Sequence, residues 1–119
     1  YAVYGASLVL TGQRICDDYP RAWPFGPVFP RIFTFIDRGG DIASFSTNFD
    51  EFATDKQKEC VHFAVNELGH FNATSLVNWS HKQGTPWDFV INRDKMKWNS
   101  YIPDDLIKDY FSKAIEYEE

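Results

Sequence analysis

The stretch Ala22-Trp23-Pro24-Phe25-Gly26-Pro27-Val28-Phe29-Pro30 decides the fold, because it combines three aromatic residues, three prolines and a glycine within nine positions. Proline fixes φ and removes a backbone donor, so neither a regular helix nor a central strand runs through Pro24, Gly26, Pro27 and Pro30. Its apolar content is too high for a solvated loop. We therefore predict an ordered turn that inserts Trp23, Phe25 and Phe29 into a core and orients the helix that follows.

Around this stretch, the composition describes one acidic, aromatic-rich domain. The chain has 119 residues, including 11 Phe, 6 Tyr and 4 Trp, and a formal net charge of −5. A domain of this size buries about two-thirds of its unfolded surface, so it needs neither a disulfide nor a metal to fold. Because its lysines and arginines alternate with acids and aromatics along the sequence, we expect no direct nucleic-acid partner. The acidic net charge instead favours a basic protein as the partner. No apolar run is long enough to span a membrane.

The clearest helix of the chain begins at Thr54. The segment Thr54-Asp55-Lys56-Gln57 has the form of a capping box. Apolar residues then recur at helical spacing as far as Gly69, namely Val61, Ala64, Val65 and Leu68. The sequence predicts one long helix here, with this apolar stripe facing the core.

The remaining elements are short and are separated by proline and glycine. We predict the end of a helix over 1–12, a helix from Pro30 to Asp37 that Gly39-Gly40 end, and an ordered loop over 41–53. We further predict a short helix capped by Asn72 or Thr74, one turn over 87–91, and a last helix from Pro103 that buries Ile107, Tyr110, Phe111 and Ala114. For the segment after Pro30, the β-branched residues leave a strand open as the alternative.

These elements predict a mainly α fold, a compact single-domain helical structure with long ordered loops. An α+β arrangement stays open as the alternative. It would contain a small strand pair around residues 14–18 and 98–102.

The two cysteines, Cys16 and Cys60, favour reduced thiols in the cytoplasm over a disulfide framework. Cys60 lies in the amphipathic segment, where we expect it to be buried as a small hydrophobe. With His62, His70 and His81 it could form a metal site. Residues two apart on a helix, however, differ in direction by about 200°, so Cys60 and His62 do not share an ion. We predict no metal and no cofactor.

Catalytic chemistry has little support in the sequence. There is no Gly-x-Ser-x-Gly elbow or phosphate-binding glycine loop, and no signature places a cysteine beside a histidine. Ser80-His81 and Pro86-Trp87 form a polar–aromatic corner, in which we expect His81 to bond the last carbonyls of its helix and Trp87 to pack beneath it. We predict that the protein is not an enzyme. A small hydrolase that uses Cys16 or Cys60 with a histidine is the alternative.

Several motifs occur in the order that is typical of one family. Besides the proline-rich stretch they are Tyr4-Gly5, Leu10 to Ile15, Leu68-Gly69, Leu76, Ser80-His81, Pro86-Trp87, Ile102 and Tyr110-Phe111. The series resembles the Panacea domain of phage-associated, SocA-like antitoxins. That family shows Trp-x-x-Gly-Pro-Val, then Thr-His followed by Pro-Trp, and a terminal Ile-x-x-x-x-Ile-x-x-Tyr-Phe.

The chain departs from the family pattern in two places. Ser80 stands where threonine is usual, and the family-typical N-terminal helix with a Lys-Leu-x-Lys-Leu pattern is absent. We therefore expect a single Panacea-like domain over residues 1–119 that lacks this helix.

The resemblance implies a non-catalytic antitoxin that neutralises a cognate toxin by direct protein–protein binding in the cytoplasm. Some members of the family act instead as adaptors that deliver a toxin to a protease, and this alternative stays open, as does a homo-oligomer. The resemblance gives structural or partner-facing roles to Trp23, Gly26, Pro27, Val28, Ser80, His81, Pro86 and Trp87.

Overall fold

The computed structural model describes residues 1–40 and 53–118. In these parts the chain forms helices α1 Ala2–Leu10, α2 Pro30–Asp37, α3 Asp55–Leu68, α4 Ala73–His81, α5 Pro86–Asp88 and α6 Asp104–Glu118. A π-helical turn, Phe89–Arg93, continues α5, and three short strands form one sheet: β1 Arg21–Trp23, β2 Gly26–Val28 and β3 Ser100–Tyr101. The prediction of a mainly α fold with a small β component is confirmed.

The core is built around α1, which packs between α3 and α6. Most residues of α1 are buried because the helix meets neighbours on more than one side. Tyr4 of α1 is 1% exposed and packs in the same core. Of the stripe predicted for the last helix, Ile107 and Phe111 are buried, at most 1% exposed, while Tyr110 and Ala114 are partly buried against the core. Gly5 lets α1 and α6 approach closely, since a Cβ at this position would overlap the ring of Phe111.

The start of α3 confirms the capping box. The backbone N–H of Gln57 donates to the Thr54 hydroxyl at 3.1 Å, and the Thr54 N–H donates to the Gln57 side chain at 2.9 Å. The predicted apolar stripe is partly wrong, because Cys60 and Phe63 are buried while Val65 is 61% exposed. Phe63 and Val65 point in nearly opposite directions, and burying the larger ring removes more apolar area from water.

The proline-rich stretch folds as a β-hairpin. β1 and β2 pair antiparallel with Trp23 opposite Gly26, so Pro24 and Phe25 form the turn between them. β1 lies in the centre of the strand order β2-β1-β3 and contains no proline. Pro27 lies on the edge strand β2, where the missing N–H does not interrupt the interior of the sheet.

The burial of this hairpin differs from the prediction. Phe25 is 77% exposed at the tip of the turn, whereas Ala22 and Gly26 are buried. Successive residues of a strand point to opposite faces. Because Ala22 faces the core, its neighbours Arg21 and Trp23 are directed to the outer face, and Trp23 is only half-buried.

The predicted strand pair is half correct. β3 lies within the expected segment 98–102, but it pairs with β1, with Tyr101 opposite Arg21. Residues 14–18 form no strand. The pairing is fixed by packing between distant segments, which local propensity does not reveal.

Helix α2 settles the alternative that the sequence left open, since the segment after Pro30 is helical and not a strand. None of its residues is buried, and Ile32, Phe33 and Ile36 stay 45–50% exposed. Phe29, just before the helix, packs against the core on the ring of Tyr4, as predicted. The loop predicted over 41–53 lies outside the described residues, except for its last one.

Candidate functional site

Two motif segments that are far apart in the sequence meet in the fold. The indole N–H of Trp87 donates to the backbone carbonyl of Trp23 at 2.8 Å, across 64 positions. The imidazole of His81 lies against Trp87, with ring centroids 3.8 Å apart. Gly26 lies directly on Ser80. We call these five residues the hairpin corner, because they fix the hairpin to the end of α4 and the start of α5.

Gly26 is the residue through which the hairpin lies against Ser80 of α4. Its φ is +123°, a conformation that strains any residue with a side chain. A Cβ there would also lie 2.6 Å from the hydroxyl oxygen of Ser80. That hydroxyl in turn donates to the carbonyl of Val77 at 2.9 Å. Glycine at this position therefore allows the hairpin to rest on α4.

Thr85, and not His81, satisfies the last carbonyls of α4. Its hydroxyl lies 2.9 Å from the carbonyl of Ser80 and 2.8 Å from that of Lys82, and it accepts from the N–H of Asp88 as the N-cap of α5. The Nε2 of His81 is buried with no hydrogen-bond partner among the described residues. The bond predicted for His81 is wrong, while the packing of Trp87 beneath its ring is confirmed.

Asp88 closes the loop between α4 and α5. Its carboxylate accepts from the Asn92 side chain at 2.8 Å and from the backbone N–H of Gly84 at 3.0 Å, and Arg93 lies 3.7 Å away. These donors favour the charged form and hold the pKa of Asp88 below its usual value, with the Asn92 bond contributing most. Asp88 therefore acts as a structural anchor.

A series of aromatic and arginine side chains lies on the outer face of the sheet and beside it. The guanidinium carbon of Arg14 lies 4.2 Å from the ring centroid of Tyr19, and that of Arg21 lies 3.9 Å from the ring centroid of Tyr101. The two tyrosine rings meet edge to face at 5.8 Å. We call the aromatic–arginine band the set Arg14, Tyr19, Tyr101, Arg21, Trp23 and Phe33.

Asn99 joins the two halves of this band. Its carbonyl accepts from Arg21 at 3.0 Å, and its side-chain oxygen accepts from the indole N–H of Trp23 at 2.8 Å. The Trp23 ring then meets Phe33 at 4.9 Å. Asn99 has a φ of +72°, which asparagine adopts more readily than most residues. The band is thus one continuous series of contacts, and Tyr101 in it is 55% exposed.

Asp104 links the band to the core. Tyr4 donates to its carboxylate at 2.5 Å, and the Nε of Arg14 lies 3.8 Å from the same carboxylate. Burial and the bond to Asp104 raise the pKa of Tyr4 well above its usual value, so Tyr4 is a neutral donor at physiological pH. One end of the band is therefore fixed to α1 through α6.

The structure does not bring the candidate nucleophiles and metal ligands together. Cys60 is fully buried, and burial raises the pKa of its thiol. Cys16 is half-buried and makes its hydrogen bond to the carbonyl of Asp18. Over 1–40 and 53–118, no group of three or more His, Cys, Asp or Glu side chains is placed to hold a metal ion.

Sequence reasoning selected only Trp23 from the band. The pattern Arg21-Ala22-Trp23 did carry a signal, because alternation in a strand puts a cation and an indole on the face opposite to a small buried residue. Tyr101 could not be added to it without knowing that β3 pairs with β1.

The sequence that builds this helical core and its exposed aromatic face matches a known family. The model of the antitoxin SocA-like Panacea domain matches residues 1–88, so the chain belongs to this family and the resemblance seen in its motifs is confirmed. Antitoxin SocA of Caulobacter vibrioides (strain NA1000 / CB15N) is 27% identical over 128 aligned positions.

That alignment covers 93% of this chain and 66% of the Caulobacter protein, so the chain spans just under two thirds of the length of this relative. No solved structure matches the chain. Within residues 1–40 and 53–118, none of the helices combines the length and apolar character that a bilayer crossing requires.

Proposed function

We propose that this chain is an antitoxin that neutralises a cognate toxin by direct protein–protein contact in the cytoplasm. Its family supports a toxin as the partner. The observation that favours direct contact is the aromatic–arginine band. Arginine, tyrosine and tryptophan are the residue types that dominate binding energy in protein interfaces, and here they form one connected surface.

The motif residues have a supporting role in this proposal. Trp87 and Gly26 hold the hairpin on α4, and the hairpin carries Arg21 and Trp23 on its outer side. Pro27 and Val28 form the edge strand that pairs with β1, and Pro86 starts the helical turn that positions Trp87. Apart from Trp23, which belongs to the band, the family motif would therefore maintain the binding surface without itself contacting the toxin.

The hydrolase alternative has less support. A cysteine nucleophile acts as the thiolate, and burial disfavours that form at Cys60. Among the described residues, neither cysteine hydrogen-bonds to a histidine. A cysteine–histidine pair must be in mutual reach to act, so the geometry favours binding over covalent catalysis.

The test is co-expression of this chain with the product of the adjacent open reading frame. If the neighbour alone arrests growth, and growth returns together with a complex that co-elutes in size-exclusion chromatography, the proposal is supported. A toxic neighbour that is neither bound nor neutralised would overturn it. The lifetime of the toxin separates the two antitoxin mechanisms: a stable toxin indicates sequestration, and a toxin that disappears only when a protease is present indicates delivery by an adaptor.

A further inference from the structure

We infer that the aromatic–arginine band is the surface that contacts the toxin, and that it takes a protein segment in which a carboxylate lies next to an apolar side chain. This inference rests on the proposed function and names the site and the chemistry of the partner. The net charge of −5 led us to expect a basic partner. The inference differs from that expectation, because an acidic chain would here present arginines to an acidic segment of the toxin.

The apolar half of the inference rests on a groove beside the band. Tyr19 and Tyr101 form one wall of this open groove of about 440 Å³, which Ile102, Pro103 and Asp104 complete. Its lining is mostly apolar. Binding energy in protein interfaces concentrates where one side chain fills such a depression and the surrounding contacts exclude water. The groove is therefore suited to an apolar anchor residue of the partner.

The acidic half rests on Arg21. A guanidinium has five N–H donors, and Arg21 uses two of its nitrogens to bond the Asn99 carbonyl and the Tyr101 hydroxyl. In the described part of the chain it forms no ion pair. Because arginine binds carboxylates in a two-pronged geometry, the unused donors favour an aspartate or glutamate of the partner.

The band is ordered before any partner arrives. The indole of Trp23 is held by Asn99, and the rings of Tyr19 and Tyr101 are covered by Arg14 and Arg21. Ordering exposed side chains on binding costs about 0.5–1.5 kcal/mol for each one, so side chains that are already fixed lose less. This order distinguishes the band from Phe25, which is 77% exposed at the hairpin tip.

A single-stranded nucleic acid would also use aromatic rings and arginines. Its affinity, however, depends on several cations that neutralise successive phosphates. The band supplies two arginines, one of which lies 3.8 Å from Asp104, on a chain with a net charge of −5. These charges favour a protein segment with few carboxylates over a polyanion.

The experiment measures the affinity of the purified chain for the product of the adjacent open reading frame by calorimetry. Two variants change the band in different ways: Arg21→Glu reverses the charge and Tyr101→Ala removes the groove wall. Two controls make comparable changes elsewhere, a reversed charge and a removed ring: Lys113→Glu on the outer side of α6, where the side chain is 70% exposed, and Phe25→Ala at the hairpin tip. Thermal melting of every variant checks that it is folded.

We expect each band variant to weaken binding at least about 30-fold, as for a hot-spot residue, and each control to stay within about threefold of the starting chain. Arg21→Lys keeps the charge without the two-pronged geometry, so an intermediate loss is expected. Suppose that the starting chain binds tightly and that the folded Arg21→Glu and Tyr101→Ala variants bind equally well. The inference is then wrong, and the proposed function survives. If the starting chain does not bind, both fail.

A labelled oligothymidylate tests the other class of partner at physiological salt. We expect no binding. Micromolar binding that Arg21→Glu abolishes would assign the band to nucleic acid and overturn the inference.

Discussion

The interior of this protein and the outer face of its sheet are both rich in aromatic rings, but the rings are held in different ways. Inside, Tyr4 and Phe111 are 1% exposed, and apolar neighbours on three helices hold them. Outside, Tyr101 is 55% exposed and is held by Arg21 and Tyr19. The interior rings stabilise the fold, whereas the outer rings are ordered without burial and so remain available to a partner.

The largest expected effect falls on the interior. Phe111→Ala removes a ring that contacts Gly5, Phe63 and Trp79, and should lower the free energy of unfolding by about 3–5 kcal/mol. Tyr101→Ala, on the outer face, should cost no more than about 1 kcal/mol. Urea denaturation of both variants measures the difference. Equal losses of unfolding free energy in the two variants would show that the outer rings stabilise the fold as much as the interior rings do.

The hairpin corner lies between the two regions and should give the next largest effect. Gly26→Ala forces a side chain into a φ of +123° and against the Ser80 hydroxyl, with an expected cost of about 3 kcal/mol. Gly12→Ala is the matched control, since Gly12 also has a positive φ but nothing lies within 4 Å of its added Cβ. That control should cost about 1–2 kcal/mol. Similar melting temperatures for the two variants would contradict the close contact.

Asp88, the buried polar anchor between α4 and α5, should contribute less to the free energy of unfolding than the packed rings do. Its contribution should depend on pH. The pKa of Asp88 is lower in the folded chain than in the unfolded one. Its contribution to stability is therefore fully present above the unfolded pKa of about 3.9 and is lost as pH falls through the lower folded value. Asp88→Asn should cost about 1–3 kcal/mol at pH 7, because one acceptor becomes a donor facing Gly84 or Asn92.

Urea denaturation of the Asp88→Asn variant and the starting chain between pH 7 and pH 3 checks this expectation. The difference between the two proteins should stay constant down to about pH 4 and should shrink below it. A difference that is constant across the range would mean that ionisation of Asp88 does not stabilise the fold.

The smallest effect is expected for the most exposed ring. Phe25→Ala should change the free energy of unfolding by less than about 0.5 kcal/mol, because the ring at the hairpin tip is 77% exposed. Chemical denaturation is sensitive enough to test this. A loss comparable to that of Phe111→Ala would place Phe25 among the interior rings, as the sequence alone suggested.

The difference between Thr54 and Phe25 shows what the sequence could and could not reveal. The capping box at Thr54 depends on residues three positions apart, so it was predicted correctly. The exposure of Phe25 depends on its position at the tip of the turn, which is set by the pairing of β1 with β2. The band depends on contacts such as Arg21 with Tyr101 across 80 positions, which no local pattern encodes.

The bond between Tyr4 and Asp104 connects segments 100 positions apart, and the ring of Phe111 covers Gly5. During synthesis, α1 therefore leaves the ribosome long before its two covering helices are complete. At about 5–20 residues per second, the gap between α1 and α6 lasts for roughly 5–20 seconds, during which the side of α1 that α6 covers lacks its native cover. Under the proposed function, neutralising capacity would therefore begin only after α6 has been translated. When antitoxin and toxin are made together, the outcome would then depend on which chain folds first.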